Sequence, residues 1–353
     1  MNNAKKIRVG IAGMDHFYIG LAAVRELQQD ANAELVIIAH RDRDRAKQTA
    51  EQAGAKWTTN YEEVANAEID LLITACPTNQ NAELVIEAAK QDKHIVSVKP
   101  FAMNLAEADQ VVAAVEEAGV RFISFEASAR LRSLYRQVKG WLREGKLGQP
   151  LSVMALQRAP MPEVAWPGTP FVRARTWWLD PQKSPGGGWI DHAIYTIDGL
   201  RWLFETEVER ISGEIANLKH VDEPLEDFGV STLVFKNKVV ATLEVTWTVE
   251  PSGSTTAFQL AGTGGQLMVE TVQKGTMLAM QPESQLKRID YSDPILGWQA
   301  VDLPQEQGGL VSHMLQVLRG EVKPIADQND ARATLAACLA FYEAAKGSKV
   351  VTL

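Results

Sequence analysis

Cysteine is nearly absent: Cys76 and Cys338 are the only two in 353 residues, far apart and with no motif around either. That excludes a disulfide framework and leaves no thiolate cluster for a metal. Histidine is sparse as well. Its six residues are scattered and none forms an H-E-x-x-H pair, so no metal site is expected. No apolar run is long enough to span a bilayer, so no membrane partner is expected. The opening MNNAKKIRVGIAG turns into glycine too soon for a signal peptide and reads as a strand. A cytoplasmic protein is therefore expected. The net charge is −8 and no basic stripe stands out, which argues against nucleic acid as a partner.

What is there is an ordinary globular composition, 46% apolar and 23% charged, at a length that predicts two domains rather than one core. Up to about residue 122 short apolar runs alternate with stretches of helical character. The runs are Ile7–Ala12, Leu35–Ala39, Ile69–Ala75, His94–Val98 and Val120–Ser124; the helical stretches are Ile19–Gln29, Arg43–Ala53, Asn81–Gln91 and Leu105–Ala118. Such alternation predicts βαβ units and a parallel sheet buried on both faces. Beyond it come a linking helix over Leu131–Glu144, a strand at Leu151–Leu156 and a Pro-rich irregular segment, Pro160–Pro170. A helix then starts after the Gly186-Gly187-Gly188 run and reaches Phe204. Strands dominate from Val208 to Val269, and Lys236-Asn237-Lys238 breaks two of them as a hairpin does. Ala331–Ala345 reads as a closing helix. The expected fold class is α/β: a doubly wound, Rossmann-type parallel sheet over residues 1–122, then an α+β domain with an open, mostly antiparallel sheet over 123–353.

Four places carry chemistry. Gly10-Ile-Ala-Gly13-Met14-Asp15-His16-Phe-Tyr18 sits where the first strand meets the first helix, the turn that holds a pyrophosphate in dinucleotide-binding domains. Against the G-x-G-x-x-G fingerprint, Asp15 and Tyr18 replace the second and third glycines, so a purely structural turn is the other reading. The second strand ends in His40-Arg41. An acid at this place bonds the ribose hydroxyls of NAD and a basic group accommodates the phosphate of NADP. With no carboxylate there, NADP is favoured over NAD; a solvated loop is the alternative. Ala75 and Pro77, after the next central strand, complete the cofactor set. Lys99-Pro100 closes the His94–Val98 run, where a lysine can orient a hydroxyl and stabilise developing alkoxide charge. Finally, Asp191 and Tyr195 are four apart and share a helix face, His192 stands about 100° round, and Asp198 lies three beyond Tyr195, with a surface charge as its other reading. Trp166, Trp177, Trp178, Trp189 and Trp202 are core aromatics in part; Trp177 and Trp178, with Arg130, are candidate pocket residues.

Lys99-Pro-Phe-Ala-Met-Asn-Leu-Ala-Glu-Ala108, Leu142-Arg-Glu-Gly-Lys-Leu-Gly-Gln149 and the three glycines before Asp191 together resemble the Gfo/Idh/MocA family, the glucose–fructose oxidoreductase and inositol dehydrogenase group, over nearly the whole length. The resemblance implies oxidation or reduction of sugars and polyols with NAD(H) or NADP(H), and a C-terminal sheet that mediates homodimers or homotetramers. It implies that Lys99, in the family's E-K-P motif, binds substrate and cofactor ribose, and that D-x-x-x-H supplies a substrate-holding Asp and an acid/base His. Here Val98 replaces the glutamate, Asn81 stands where a histidine often follows the fourth strand, and the second motif reads Asp191-His-Ala-Ile-Tyr195. Glucose–fructose oxidoreductase also carries tyrosine at that last position.

The expected function is an NAD(P)-dependent sugar or polyol oxidoreductase. Lys99 orients the hydroxyl, Asp191 holds a neighbouring one, Tyr195 passes the proton and His192 is the reserve acid/base. A phenol titrates near ~10, so Tyr195 needs a neighbouring cation such as Lys99 to act as a base. Two other readings remain open from sequence: a sugar lyase or hydrolase that works by transient oxidation, and a binding protein without catalysis.

Overall fold

The computed structural model describes residues 6–162, 177–274, 281–293, 295, 297–303, 305 and 308–353. Its contacts divide the chain into two units. The first holds a six-stranded parallel sheet of β1 (Ile7–Ala12), β2 (Ala33–Ala39), β3 (Lys56–Thr58), β4 (Leu71–Thr74), β5 (His94–Ser97) and β6 (Phe122–Ser124), in the order β3-β2-β1-β4-β5-β6. Helices α1 (Phe17–Gln29), α2 (Arg43–Ala53), α3 (Tyr61–Ala65), α4 (Thr78–Lys90) and α5 (Leu105–Ala118) connect the strands. All residues of β4 and β6 are buried, as a sheet covered on both faces requires. The strand order reverses between β1 and β4, the switch point at which such sheets bind ligands.

This unit takes in the chain up to Leu131, Gln182–Pro185 and Gly308–Leu335. The sequence-based division at 122/123 allowed for no return. The helix Leu310–Leu318 returns because its apolar stripe, Leu310, Val311, Met314 and Leu315, is buried in the same core as β1 and α1. The Ser312 N–H donates to Glu26 at 2.8 Å and Arg319 pairs with Asp30 at 2.8 Å.

The second unit is built on a nine-stranded sheet. Its strands are β7 (Pro150–Arg158), β8 (Val208–Ala216), β9 (Phe228–Phe235), β10 (Val240–Thr246), β11 (Thr255–Gly262), β12 (Gly265–Lys274), β13 (Gln281–Asp290), β14 (Gln299–Val301) and β15 (Val351–Thr352), in the order β14-β13-β12-β11-β7-β10-β9-β8-β15. Only β7 and β10 pair in parallel, so the sheet is mixed and mostly antiparallel. The helix Gly188–Phe204 packs on β7, β9 and β10, burying Ile190, Ala193, Ile194 and Ile197. The strands alternate accordingly: Ala241, Leu243 and Val245 of β10 point inward, while Met154 of β7 and Val240 of β10 stay exposed. Among the described residues no helix is long and apolar enough to cross a membrane.

Candidate functional site

In the first unit the turn after β1 is shaped by Gly13. Its φ is +95°, and a Cβ there would lie 2.7 Å from the backbone nitrogen of Cys76. Glycine is therefore needed, and the turn packs directly against the chain leaving β4. The His16 N–H donates to the Ala75 carbonyl at 2.9 Å, so Gly13, His16 and Ala75 form one assembly. Pro77 is the N-cap of α4. Neither α1 nor α4 has a side-chain cap at its N-terminus, and neither carries an acid in its first turn. Thr78 Oγ1, in the first turn of α4, is fully buried and lacks a hydrogen-bond partner among the described residues. Two helix starts that flank the switch point and have no acid in their first turns suit an anion, Asp15 just before the α1 N-cap being paired with Arg41. The residues present thus fit the pyrophosphate of a dinucleotide. Gly10 lies within β1, where an added Cβ would meet Val64 at 2.7 Å, so it serves packing. Met14 and His16 are buried under the turn.

At the end of β2 the outcome differs from the sequence expectation. Arg41 is engaged: its Nε is 2.9 Å from Asp15 Oδ1. The other Asp15 oxygen accepts the Tyr61 hydroxyl. Burial, and then the Asp15 charge, push the Tyr61 phenol far above its ordinary range. His40 turns inward. Its Nδ1 accepts the Asp42 N–H at 2.9 Å, and burial lowers its pKa, which keeps the ring neutral. Arg41 is thus paired through Nε rather than free, with its side chain still 45% exposed. Beside these residues opens a cleft of about 740 Å³ whose wall includes Arg41, Tyr61, Gln80, Glu62, Glu83 and Glu87.

Lys99 follows β5 and is 1% exposed; its bond to Pro100 is cis. Its main chain is clamped on both sides. The Val98 N–H donates to Thr74 Oγ1 at 2.9 Å, and the Val98 carbonyl accepts from Ser124 Oγ at 3.3 Å. Beyond Pro100, Asn81 Nδ2 donates to the Phe101 carbonyl at 2.6 Å and to Ser97 Oγ at 2.8 Å, while Asn81 Oδ1 accepts from Thr74 Oγ1 at 2.6 Å. Asn81 is fully buried, so this amide ties the ends of β4 and β5 to the segment that aims Lys99. Only its departure from the usual histidine marked it in the sequence. Arg130, expected in a substrate pocket, is committed elsewhere. Its guanidinium makes two bonds to the Asp330 carboxylate, at 3.0 and 3.1 Å, and one to the Ile325 carbonyl at 2.9 Å.

In the second unit, the run of three glycines is explained by what passes beside it. A Cβ on Gly186 would stand 2.1 Å from the Tyr342 hydroxyl, one on Gly187 would stand 2.3 Å from the Glu226 carbonyl, and one on Gly188 would stand 3.1 Å from the Asp227 carbonyl. The Glu226 carboxylate accepts the Gly187 N–H at 3.0 Å, the Trp189 N–H at 3.2 Å and the Tyr342 hydroxyl at 2.6 Å. It thereby satisfies donors at the start of the helix Gly188–Phe204. Burial pushes its pKa up. Neither Glu226 nor Tyr342 carried a sequence signal. Gly187→Ala meets main chain, which cannot move cheaply. We expect it to cost about 1–3 kcal/mol or more in chemical unfolding; unchanged stability would show that the helix start yields.

Within that helix Asp191 is buried, and its Oδ2 accepts Trp247 Nε1–H at 3.2 Å. His192 Nε2 lies 3.4 Å from the same oxygen. His192 and Tyr195 are half-buried. Asp198 is fully buried rather than a surface charge, and lies 3.9 Å from Arg201. Trp177 and Trp178 are buried and stack on each other with ring centroids 4.9 Å apart. Trp189 stacks on Phe341 at 3.8 Å. Trp166 lies outside the described residues.

Comparison with known proteins agrees with this division. Residues 7–125 match the family described as "Oxidoreductase family, NAD-binding Rossmann fold", and residues 135–268 match "GFO/IDH/MocA C-terminal domain". The chain is similar to the myo-inositol 2-dehydrogenase of Thermotoga maritima, 24% identical over 280 residues, 77% of this chain and 78% of that one. It is similar also to the scyllo-inositol 2-dehydrogenase (NAD(+)) of Bacillus subtilis, 26% identical over 68% of this chain and 67% of that one. The crystal structure of the WlbA dehydrogenase from Bordetella pertussis, in complex with NADH and UDP-GlcNAcA, shares the fold. Its TM-score is 0.77 at 23% identity, with 99% of each chain covered.

Proposed function

Because the chain belongs to the Gfo/Idh/MocA family of NAD(P)-binding oxidoreductases, we propose that it transfers a hydride between a nicotinamide coenzyme and a sugar, polyol or sugar derivative. The observation that carries the coenzyme half is the switch point between β1 and β4, with Gly13 in its turn and two helix starts that lack a side-chain cap and a first-turn acid. The carbohydrate half is supported by the inositol dehydrogenases among the relatives and by the groups this chain offers. When bound, the nicotinamide supplies or accepts the hydride. This chain's residues do the rest. Lys99, held by the Asn81 and Thr74 clamp, orients the reacting hydroxyl and stabilises its developing negative charge. Asp191, fixed by Trp247, accepts a hydrogen bond from a neighbouring hydroxyl. Tyr195, one helical turn further, moves the hydroxyl proton, with His192 as the reserve acid/base.

The test is a panel of sugars and polyols offered with NAD⁺ and with NADP⁺, reading net reduced nicotinamide. Coenzyme binding with no net reduction from any of them would favour transient oxidation in a lyase or hydrolase. The exposed face of the large sheet, with Met154 and Val240, fits a homodimer or homotetramer. Light scattering at micromolar concentration should give an oligomer, and a monomer would remove that part of the proposal.

A further inference from the structure

The cleft beside β2 is electrostatically one-sided. Of the charged groups in its wall, Glu62, Glu83 and Glu87 are acids and Arg41 is the cation. That cation is already matched. Asp15 holds Arg41 Nε at 2.9 Å through a side chain only 9% exposed, and its second oxygen takes the Tyr61 hydroxyl. Neighbouring cations are also engaged: Arg45 Nε lies 3.4 Å from Asp42, and the Arg43 guanidinium stands 5.4 Å over the Trp57 ring. His40 is buried, and its lowered pKa removes it as a charge partner.

We infer that Asp15 makes this chain select NAD(H) over NADP(H). The inference rests on the reading of the first unit as a nicotinamide-coenzyme domain. In dinucleotide-binding folds the acid that accepts the ribose 2′-hydroxyl usually ends the second strand. Here His40 holds that place, and the carboxylate arrives instead from the turn after β1, at the position of the second fingerprint glycine. A carboxylate has about four acceptor sites, so pairing with Arg41 and Tyr61 does not by itself bar Asp15 from a ribose hydroxyl. A 2′-phosphate brings close to two negative charges. It would have to share Arg41 with the mostly buried Asp15 carboxylate that already holds its Nε, beside a cleft lined by three glutamates. Like charges so placed disfavour the phosphorylated coenzyme. The Arg41 pairing also explains how a carboxylate is tolerated in a turn that receives pyrophosphate: its charge is compensated within the unit.

The experiment is direct binding, by calorimetry or by energy transfer from tryptophan to reduced nicotinamide. It uses the parent protein, Asp15→Asn, and Asp15→Gly, which restores the fingerprint glycine. The parent is expected to bind NADH at least about tenfold more tightly than NADPH. Both variants should shrink that ratio by about tenfold or more, mainly through tighter NADPH binding, because Arg41 is released to the phosphate. A parent that binds NADPH as well as NADH overturns the inference, and so does an unchanged ratio in variants that melt like the parent. A parent that binds neither coenzyme overturns the coenzyme-domain reading itself, and this inference with it.

Discussion

Tyr195→Phe is expected to lower turnover by about a hundredfold or more, the scale of general acid–base catalysis, while coenzyme affinity stays close to that of the parent. The substitution keeps the ring and removes only the proton-bearing oxygen. Tyr195 is half-buried and one turn along the helix from Asp191, so both side chains leave the same face. Asp191 is fixed by Trp247 at 3.2 Å, which gives the face one rigid acceptor beside one titratable hydroxyl. His192→Asn should cost less. Its ring nitrogen lies 3.4 Å from the same Asp191 oxygen, so histidine and aspartate form a pair that could carry a proton instead. The two variants decide the matter. If His192→Asn proves the more damaging, the proton belongs to His192, whose ordinary pKa lies nearer neutrality than a phenol's. If neither matters, the chain binds without catalysing.

Lys99→Met is expected to reduce turnover by about a hundredfold to a thousandfold, the usual cost of removing one donor to a developing oxyanion. Methionine keeps the length and the apolar stem and deletes the ammonium. The backbone on either side is held by Thr74, Ser124 and Asn81, so the main-chain path should persist. Cooperative thermal unfolding of the variant would document that. Turnover within about tenfold of the parent would place the oxyanion donor on another residue.

The sequence by itself determined everything that depends on local periodicity and on single-residue backbone demands. Alternating strands and helices set the parallel sheet. Glycine at position 13 marked the turn, and the helix reaching Phe204 was readable from its start after three glycines. Lys99 was placed at a strand end by counting. The strands that escaped were those with little periodic signal: β3 and β14 have three residues each, β15 has two, and β13 reads QPESQLKRID, which is mostly polar.

Only the tertiary structure decided which partners those residues have. Asp15 looked like a defect in a glycine fingerprint and Arg41 like a free cation; folding brings them to 2.9 Å, the pairing from which NAD(H) selectivity is inferred. Arg130 looked like a pocket residue and is a fastener for Asp330. Asp198 looked exposed and is fully buried. Glu226 and Tyr342, 116 positions apart, meet at the start of the helix that carries Asp191 and so explain the glycines there. The helix Leu310–Leu318 joins a core built by the first third of the chain. The physical reason is the same in each case. A helix or strand announces itself through spacings of two to four residues, whereas a charge pair or a cap between distant segments leaves no regular spacing in the sequence and exists only once the intervening chain has folded.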